Sequence, residues 1–448
     1  SRRFHMNPIS IREPSPPTLA RVRQLSGKLG LVSRSVPLFP AEGEPQFSIQ
    51  TSLLDDPSTV LRHQAQWSHA SSHGNFDGAG GAIDPERSRD ISIVESLERY
   101  SSCTWDDQEL IFAAEVDLDP EVVRGPNSWP RCSDRELSDP TSMLVPYDPR
   151  LPIRWKRAWS LTHHKEVLVP ATLVHLRFQC LSRSELFAHS VSTGTAAHHS
   201  LSEAVLGGLL EVVERDSIAL TWLQRLRLPR VEVDVDSLPP EVRAYHDLGT
   251  STNIEVRIFD ATTDFGIPVL YAMQLADSDP VLNQIVAATC DLDPQRALAK
   301  IHREFASLRI ALRSHARSEQ DFNGVSVVGG AIHQAISTHR GVFNFLLDGP
   351  RSLRQLNEVG DRPQPRENSL SWAVSKLAAA GAEVIVTDLT TDEAHQVGFH
   401  VVKVLVPQAM PLSFVHGARY LATPRLYEAP QAMGHTVHDE QHINHEYQ

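Results

Sequence analysis

The chain has 448 residues, of which 41% are hydrophobic and 22% charged, a composition typical of a soluble globular protein with a sizeable core. Its 42 basic and 55 acidic residues give a net charge of −13, which argues against nucleic acid as the main partner. No apolar run reaches the roughly 18 residues that a membrane span needs, and no signal peptide is recognisable, so the cytoplasm is the expected compartment. The four cysteines lack CxxC spacing, so neither a zinc ribbon nor a disulfide framework is expected.

The two ends of the chain differ in composition from its middle. Residues 1–55 start with a stretch typical of a tag remnant and continue as a basic, proline-rich arm, for which a weakly structured tail is expected. Residues 429–448 are rich in histidine, and His438 and His442 would share one face of a helix, as metal ligands can. A polar, frayed terminus is the expectation there, because no accompanying carboxylates are apparent. Residues 56–428 would then form the main folded domain.

Helical and strand patterns alternate between these ends. Strands are predicted at 167–178, 254–259, 268–275, 383–386 and 400–406, and helices at 85–101, 201–223, 294–313 and 369–380. Turn clusters separate these elements, and no linker is long enough to divide the chain. The pattern predicts one large α/β domain of the mixed α+β kind, with mixed sheets.

The sequence ExxER occurs once on each of the first two predicted helices. The first copy contains Glu95, Glu98 and Arg99, and the second contains Glu211, Glu214 and Arg215. Positions i and i+3 of a helix place both glutamates on one face, with the arginine one residue beyond. Start signals support both helices, because Asp84 precedes a proline and because Ser200 with Glu203 forms the pattern of a capping box.

Two interpretations of these motifs are open. A single ExxER usually forms salt bridges on the surface of a helix. The apolar residues around Glu211 and Glu214 instead favour a buried helix, and buried carboxylates need a cation, a metal or several hydrogen bonds. Carboxylates hold Mg²⁺ and arginine binds phosphate oxygens, so the pattern suits divalent cations on a polyphosphate. Glu304 and Arg309 on the third predicted helix are further candidates.

A loop of small residues precedes the second ExxER helix. Small side chains such as Ser192, Thr193 and Gly194 let backbone N–H groups approach an anion at a helix N-terminus. The motifs GxxxxGK[ST] and GxGxxG are absent from the sequence, so the loop is a weak signal that gains weight only from the carboxylates that follow it. His198 offers an acid or a base, although a structural histidine is the commoner outcome.

In this order and spacing, the two ExxER motifs, the small-residue loop and the third helix resemble the YcaO family over roughly residues 75–425. The resemblance implies a YcaO-type domain and an ATP- and Mg²⁺-dependent enzyme that activates a peptide backbone amide. In the best-known branch, a Cys, Ser or Thr side chain of a ribosomally made precursor attacks the preceding carbonyl. The oxyanion takes the γ-phosphoryl group of ATP, and phosphate then leaves to give a thiazoline or an oxazoline.

The resemblance also implies a role for each candidate residue. The metal and ATP carboxylates would be Glu95, Glu98, Glu211, Glu214 and Glu304, with the catalytic set extended by His198. The residues that contact phosphate would be Arg99, Arg215 and Arg309. The other residues that contact the nucleotide would be Ser92 on the first helix and Ser192, Thr193 and Gly194 in the loop.

The sequence departs from the family pattern at several points. Gly81 stands where a lysine is frequent, Thr193 where asparagine is common, and Ser307 where glutamine is common. The PxPxP tail of azoline-forming members is absent from the sequence. All acidic candidates are retained, so ATP binding is expected, while a thioamide- or macroamidine-forming enzyme and a non-catalytic scaffold stand as alternatives.

The resemblance implies several partners. Azoline-forming members rely on a leader-peptide-binding protein that resembles ubiquitin-activating enzymes. About seventy residues precede the matching region, too few for such a domain of ~100 residues, so a separate partner is expected beside the precursor peptide. Oxidation to an azole would need a separate flavin dehydrogenase, because the dinucleotide fingerprint is absent from the sequence. A homodimer is a further family expectation.

Overall fold

The computed structural model describes residues 15–54, 77–316, 328–349 and 352–447. The strands are β1 (Val32–Leu38), β2 (Ser48–Leu54), β3 (Gly78–Ala82), β4 (Ile111–Ala113), β5 (Ile153–Ser160), β6 (Lys165–Pro170), β7 (Thr195–His198), β8 (Arg230–Glu232), β9 (Glu255–Asp260), β10 (Val269–Leu275), β11 (Gln284–Cys290), β12 (Leu353–Gln355), β13 (Ile385–Asp388) and β14 (His400–Leu405). The helices are α1 (Pro17–Ala20), α2 (Pro85–Ser102), α3 (Asp134–Leu137), α4 (Ala171–Val174), α5 (Leu201–Gln224), α6 (Pro240–Gly249), α7 (Pro294–Ala316), α8 (Gly329–Gln334), α9 (Asn344–Leu347), α10 (Ser369–Ala379), α11 (Asp392–Gln396) and α12 (Arg425–Ala432).

The strands of the described residues form three sheets. The first is antiparallel, in the order β1-β2-β3. The second has the order β11-β10-β9-β8-β12, and it is mixed because β12 pairs with β8 in parallel while its other pairs are antiparallel. The third has the order β4-β5-β13-β14-β7, with β6 also paired to β5. The predicted mixed α/β class with mixed sheets is confirmed.

Three long helices join these sheets around the core. Helix α2 packs on β2 and β3, α5 packs on β14 of the third sheet and β11 of the second, and α7 packs on β10, β11 and α6. The largest hydrophobic cluster surrounds α5, including Leu209, Val213 and Leu220, which are fully buried. Because α5 is enclosed between two sheets, the side chains of Glu211 and Glu214 are largely covered, with 30% and 17% of their area exposed, whereas Glu203 in the first turn is exposed. No helix in the described ranges is long and apolar enough to cross a membrane.

The four predicted helices are present, but two local predictions are wrong. Asp84 caps α2 by accepting hydrogen bonds from two backbone N–H groups of the first turn. The capping box at Ser200 and Glu203 does not form, because the Ser200 hydroxyl pairs with Ser202 and its N–H donates to His198. The strand predicted at 167–178 ends early, because the chain turns into α4 after β6.

The N-terminal segment is folded from residue 15 onward, contrary to the predicted weakly structured arm. Strand β2 of this segment pairs with β3, which is the strand that directly precedes α2. The Arg23 guanidinium, through Nε, contacts the buried carboxylate of Asp90 on α2 at 2.7 Å. The rest of the predicted arm, including the tag remnant, lies outside the described residues.

The C-terminal segment is also folded, so the predicted frayed terminus is wrong for residues 429–447. The boundary proposed at residue 429 falls inside α12, and Ile443 is buried in the core around α5. The Asn444 N–H donates to the Leu223 carbonyl at 2.7 Å. The ring of His442 bonds to Asp439, and the described residues contain no group of three or more His, Cys, Asp or Glu side chains that could hold a metal by itself.

Candidate active site

Both ExxER motifs open onto one region of the interior, where each of their four glutamates accepts one hydrogen bond from a backbone amide. The donors are Ala79 to Glu95 at 2.8 Å, Ala197 to Glu98 at 2.8 Å, Gly194 to Glu211 at 2.9 Å and Cys290 to Glu214 at 3.1 Å. The four donors come from β3, β7, the loop before β7, and β11, so three sheets fix the orientation of the four carboxylates. A bond of this kind directs a side chain without cancelling its charge.

Glycines allow these strands and loops to approach the helices closely. A side chain on Gly78 or Gly80 would collide with the backbone of α2, so β3 lies directly against that helix and its Ala79 amide reaches Glu95. Gly194 has a positive φ of 86°, and a Cβ there would lie 2.2 Å from the Val404 carbonyl oxygen. The loop can therefore fit between α5 and β14 only with glycine at this position.

Two neighbouring cavities lie among the glutamates. The carboxylate cavity, of about 400 Å³, is lined by residues that include Ala79, Glu95, Glu98, Arg99, Ser192, Thr195, Glu211, Arg303, Glu304 and Ser307. The adjoining cavity, of about 500 Å³, is lined by residues that include Glu211, Glu214, Arg215, Lys300, Arg303, Glu304 and the edge of β11. Glu211, Arg303 and Glu304 line both cavities, and this shared wall makes the two cavities one candidate site.

Arginines accompany the glutamates without matching them in number. Arg99 bonds Glu95 at 2.6 Å, Arg215 bonds Glu211 at 3.3 Å, and Arg303 bonds Glu304 at 3.2 Å. Glu98 and Glu214 are left with weaker partners, since the only cation within 4.0 Å of either in the described residues is Arg215, at 3.9 Å from Glu214.

Burial and the surplus of negative charge change the protonation of these two glutamates. The pKa of Glu98 is raised to about 8, mainly by burial and to a smaller extent by the neighbouring charges of Glu95 and Glu211, against the opposing effect of its backbone hydrogen bond. Burial likewise raises the pKa of Glu214 to about 7, opposed by Arg215. Perturbed carboxylates in a cavity are typical of sites that bind a cation or carry out chemistry.

The residues fit Mg²⁺ together with a polyphosphate. The buried Nε of Arg215 has no hydrogen-bond partner among the residues that the structure describes, so this guanidinium keeps a free donor at the cavity. Because no three acidic or histidine side chains of the described residues form a complete metal site, a cation here would share its coordination with the ligand. Mg²⁺ is commonly held in this way, by one or two carboxylates plus phosphate oxygens.

The structure brings together most of the predicted site residues. The two ExxER motifs, Ser192 and Glu304 line the cavities, and Gly194 contributes its amide. Thr193 lies on the other side of the loop, where it lines a separate apolar cavity. His198 lines neither of the two site cavities, and its Nδ1 accepts the N–H of Ser200. The predicted roles of Thr193 and His198 at the site are therefore not supported by their placement.

Two further assignments need correction. Ser92 is fully buried behind β3, with its hydroxyl bonded to Ser52 and to the Arg89 carbonyl, so it cannot contact a nucleotide. Arg309 is 1% exposed and pairs with Glu44 and Asp279 at 2.8 and 2.7 Å in another part of the molecule. It is therefore not a phosphate contact.

Sequence reasoning missed two cations near the site. Arg303 of α7 runs across Gly81, and a Cβ added to this glycine would lie 2.7 Å from the Cγ of Arg303. An arginine therefore occupies the space beside the position on β3 at which the family frequently has a lysine. Lys403 is buried behind Glu211, and burial lowers its pKa to about 8. Its ammonium donates to the Val191 carbonyl and so supports the loop that carries Ser192 and Gly194. The sequence signal that could have identified Lys403 is its position as the one charged residue among the valines and leucine of β14.

Solved structures share the fold of this chain. A heterocyclase in complex with substrate and cofactor has the same fold, with a TM-score of 0.76 and 22% identity over 95% of this chain, which spans 56% of that protein. A YcaO protein from Methanopyrus kandleri bound with AMPPCP and Mg²⁺ has a TM-score of 0.58 and 18% identity over 87% of this chain and 88% of that one.

The sequence comparisons give the family. Residues 79–410 match the YcaO cyclodehydratase family, described as ATP- and Mg²⁺-binding. An uncharacterized protein from the tfuA 3′ region of Rhizobium leguminosarum bv. trifolii is 30% identical over an alignment of 351 residues, gaps included, that covers 74% of this chain and 76% of that protein. The chain belongs to the YcaO family, and ATP and Mg²⁺ are its cofactors.

Proposed function

We propose that the chain is an ATP- and Mg²⁺-dependent cyclodehydratase that forms thiazolines or oxazolines in a ribosomally made precursor peptide. The observation that carries this proposal is the arrangement of Glu95, Glu98, Glu211 and Glu214, each oriented by a backbone amide around two connected cavities. A non-catalytic scaffold gains nothing from retaining these carboxylates, since burial of uncompensated charge destabilises a fold.

The residues of the site divide into two sets. Glu95, Glu98, Glu211, Glu214 and Glu304 would hold Mg²⁺, which supplies charge neutralisation at the phosphate oxygens. Arg99, Arg215 and Arg303 would contact the phosphates, because guanidinium groups bind phosphate oxygens with directed hydrogen bonds. The protein then mainly positions the reactants, and it needs no nucleophilic side chain of its own.

The adjoining cavity provides room for the reacting amide beside the nucleotide. It shares Glu211 and Glu304 with the carboxylate cavity, and part of its lining is apolar, with Ile218, Leu308 and Phe414 partly exposed. A peptide there would place a carbonyl oxygen next to the γ-phosphoryl group. The Cys, Ser or Thr side chain of the substrate would lose its proton and attack that carbonyl, which closes the ring. The carbonyl oxygen would then take the γ-phosphoryl group of ATP, with ADP as the leaving group. Phosphate would leave last, together with the proton of the amide nitrogen, to form the C=N bond of the azoline.

The proposal includes a precursor peptide and a separate leader-binding partner protein, with a flavin dehydrogenase where azolines are oxidised and a homodimer as the assembly of this chain. The test is mass analysis of the co-encoded peptide after incubation with the chain, its partner, ATP and Mg²⁺. Loss of one water per modified residue, absent with Glu214→Gln, is the expected result. In a parallel incubation with added sulfide, replacement of oxygen by sulfur would instead identify a thioamide-forming enzyme, and an unchanged peptide mass under all conditions would contradict catalysis.

A further inference from the structure

Strand β11 is an edge strand that borders the candidate site. Among the strands of the described residues, it lies at one end of the second sheet and pairs only with β10, in an antiparallel register that sets Val269 opposite Cys290. Its side chains alternate between the hydrophobic cluster around α5 and the cluster around α7. The free edge of β11 therefore lies between these two helices.

The direction of each backbone group of β11 follows from the ladder. Ala276 donates to the Asn283 carbonyl at 2.8 Å, and Asp291 donates to the Pro268 carbonyl at 3.3 Å, so the odd-numbered residues of this strand face β10. In an antiparallel pair the N–H and C=O groups of one residue point to the same side, and successive residues alternate. The even-numbered residues, from Gln284 to Cys290, consequently direct their N–H and C=O groups to the free edge.

The two ends of this outward row have partners, and its middle does not. The Gln284 N–H donates to the Ala335 carbonyl at 3.2 Å, and the Cys290 N–H donates to Glu214 at 3.1 Å. Within the described ranges, the N–H groups of Val286 and Ala288 have no hydrogen-bond partner. Buried or half-buried backbone donors are almost always paired in proteins, so two open donors on a cavity wall are available to a partner that enters the cavity.

These two open positions line the adjoining cavity. Val286 and Ala288 form part of its wall, while Ile218 from α5 and Leu308 from α7 form the sides. Because the last donor of the row, Cys290, is bonded to Glu214, the open edge runs directly to the carboxylates of the candidate site.

We propose that an extended peptide segment adds to the free edge of β11, bonds the backbone groups of Val286 and Ala288, and runs through the adjoining cavity to the glutamates. This inference rests on the proposed function and names the way in which its peptide substrate is held. Donors and acceptors that alternate with a two-residue repeat match the backbone of an extended peptide. Backbone pairing would tolerate varied sequences, and the apolar sides of the cavity would favour apolar residues beside the reacting one.

Hydrogen exchange of the β11 amides tests this proposal in the full chain. The probe is a pool of acetylated and amidated hexapeptides with cysteine at the fourth position and apolar residues elsewhere, added at millimolar concentration. We expect the amides of Val286 and Ala288 to exchange about tenfold more slowly with the pool than without it. The amide of Cys290, which is already bonded, serves as an internal reference.

Proline substitutions separate backbone pairing from side-chain contact. Val286→Pro and Ala288→Pro each remove an outward N–H and leave the ladder to β10 intact, as an edge strand permits. Each is expected to abolish peptide protection at the other open position, whereas the matched control Val286→Thr, which keeps the N–H, retains it. Thermal unfolding verifies that each variant is folded.

The outcomes of this test are independent of ATP binding. Absence of protection by the pool in the wild-type chain, or its persistence in both folded proline variants, would overturn the peptide site. Protection without any ATP binding by the wild-type chain would leave the peptide site supported and overturn the cyclodehydratase proposal.

Discussion

Helix α7 contributes to two clusters that are both built from acidic residues and arginines. In one cluster the positive and negative charges are equal in number, and in the other the negative charges are in excess. The arginine cluster consists of Arg309, Arg313, Glu44 and Asp279, with all four cross-contacts between 2.6 and 2.8 Å. Burial raises the pKa of both acids, but the arginine hydrogen bonds outweigh it, so that the pKa of Glu44 is lowered and that of Asp279 falls to about 2. Two cations therefore compensate two anions in the folded protein.

The candidate site lacks this compensation. Five glutamates line its two cavities beside three arginines, while Lys300 is already paired with Asp291 at 2.6 Å. The pKa values of Glu98 and Glu214 are consequently raised instead of lowered. The difference shows that burial alone does not decide the role of a charged cluster. A balanced cluster stabilises the fold, whereas a cluster with surplus charge is suited to binding a cation.

The largest expected effect is on the balanced cluster. Arg309→Met leaves Glu44 and Asp279 with only Arg313, and it should lower the free energy of unfolding by ~3–5 kcal/mol, because buried charges lose their partner. Chemical denaturation measures this change. Arg303→Met, at a more exposed arginine of the same helix, is the matched control and should cost less than ~1 kcal/mol. Equal stability of the two variants would contradict the comparison.

The unbalanced cluster should behave in the opposite way. Glu98 has a folded-state pKa of about 8 against an ordinary value of 4.5, so the folded protein binds more protons in this range and its stability falls as pH rises from 4.5 to 8. Glu98→Gln should therefore stabilise the protein without ligand by about 1–2 kcal/mol at pH 8, with little change below pH 4.5. Thermal unfolding at both pH values checks the sign. Destabilisation at pH 8 would show that the charge of Glu98 is already compensated.

The smallest expected effect concerns the arginine that sequence reasoning missed. Arg303 lines both cavities and packs on Gly81, so Arg303→Met should weaken ATP binding three- to tenfold, about 1 kcal/mol, while the fold is retained. Arg303→Lys should recover part of the affinity. Unchanged affinity in Arg303→Met would exclude this side chain from phosphate binding.

The success and failure of the sequence predictions have a common physical reason. Glu211 and Glu214 were recognisable because their spacing and the apolar residues around them are local properties of one helix. Arg309 was misassigned because its partner Glu44 lies 265 residues away along the chain. The contact between Arg303 and Gly81, and the open edge at Ala288, depend on tertiary packing and strand register, which no local pattern reveals.

The central claim is that the surplus glutamates bind Mg²⁺ together with ATP, and titration calorimetry of ATP into the purified chain tests it most directly. The account predicts binding that requires Mg²⁺ and weakens at least about 100-fold in Glu214→Gln, equivalent to about 2.7 kcal/mol. Arg309→Met, studied under conditions in which it is folded, should bind ATP like the wild-type chain. Binding that is independent of Mg²⁺, or equal in the wild-type chain and Glu214→Gln, would contradict the claim.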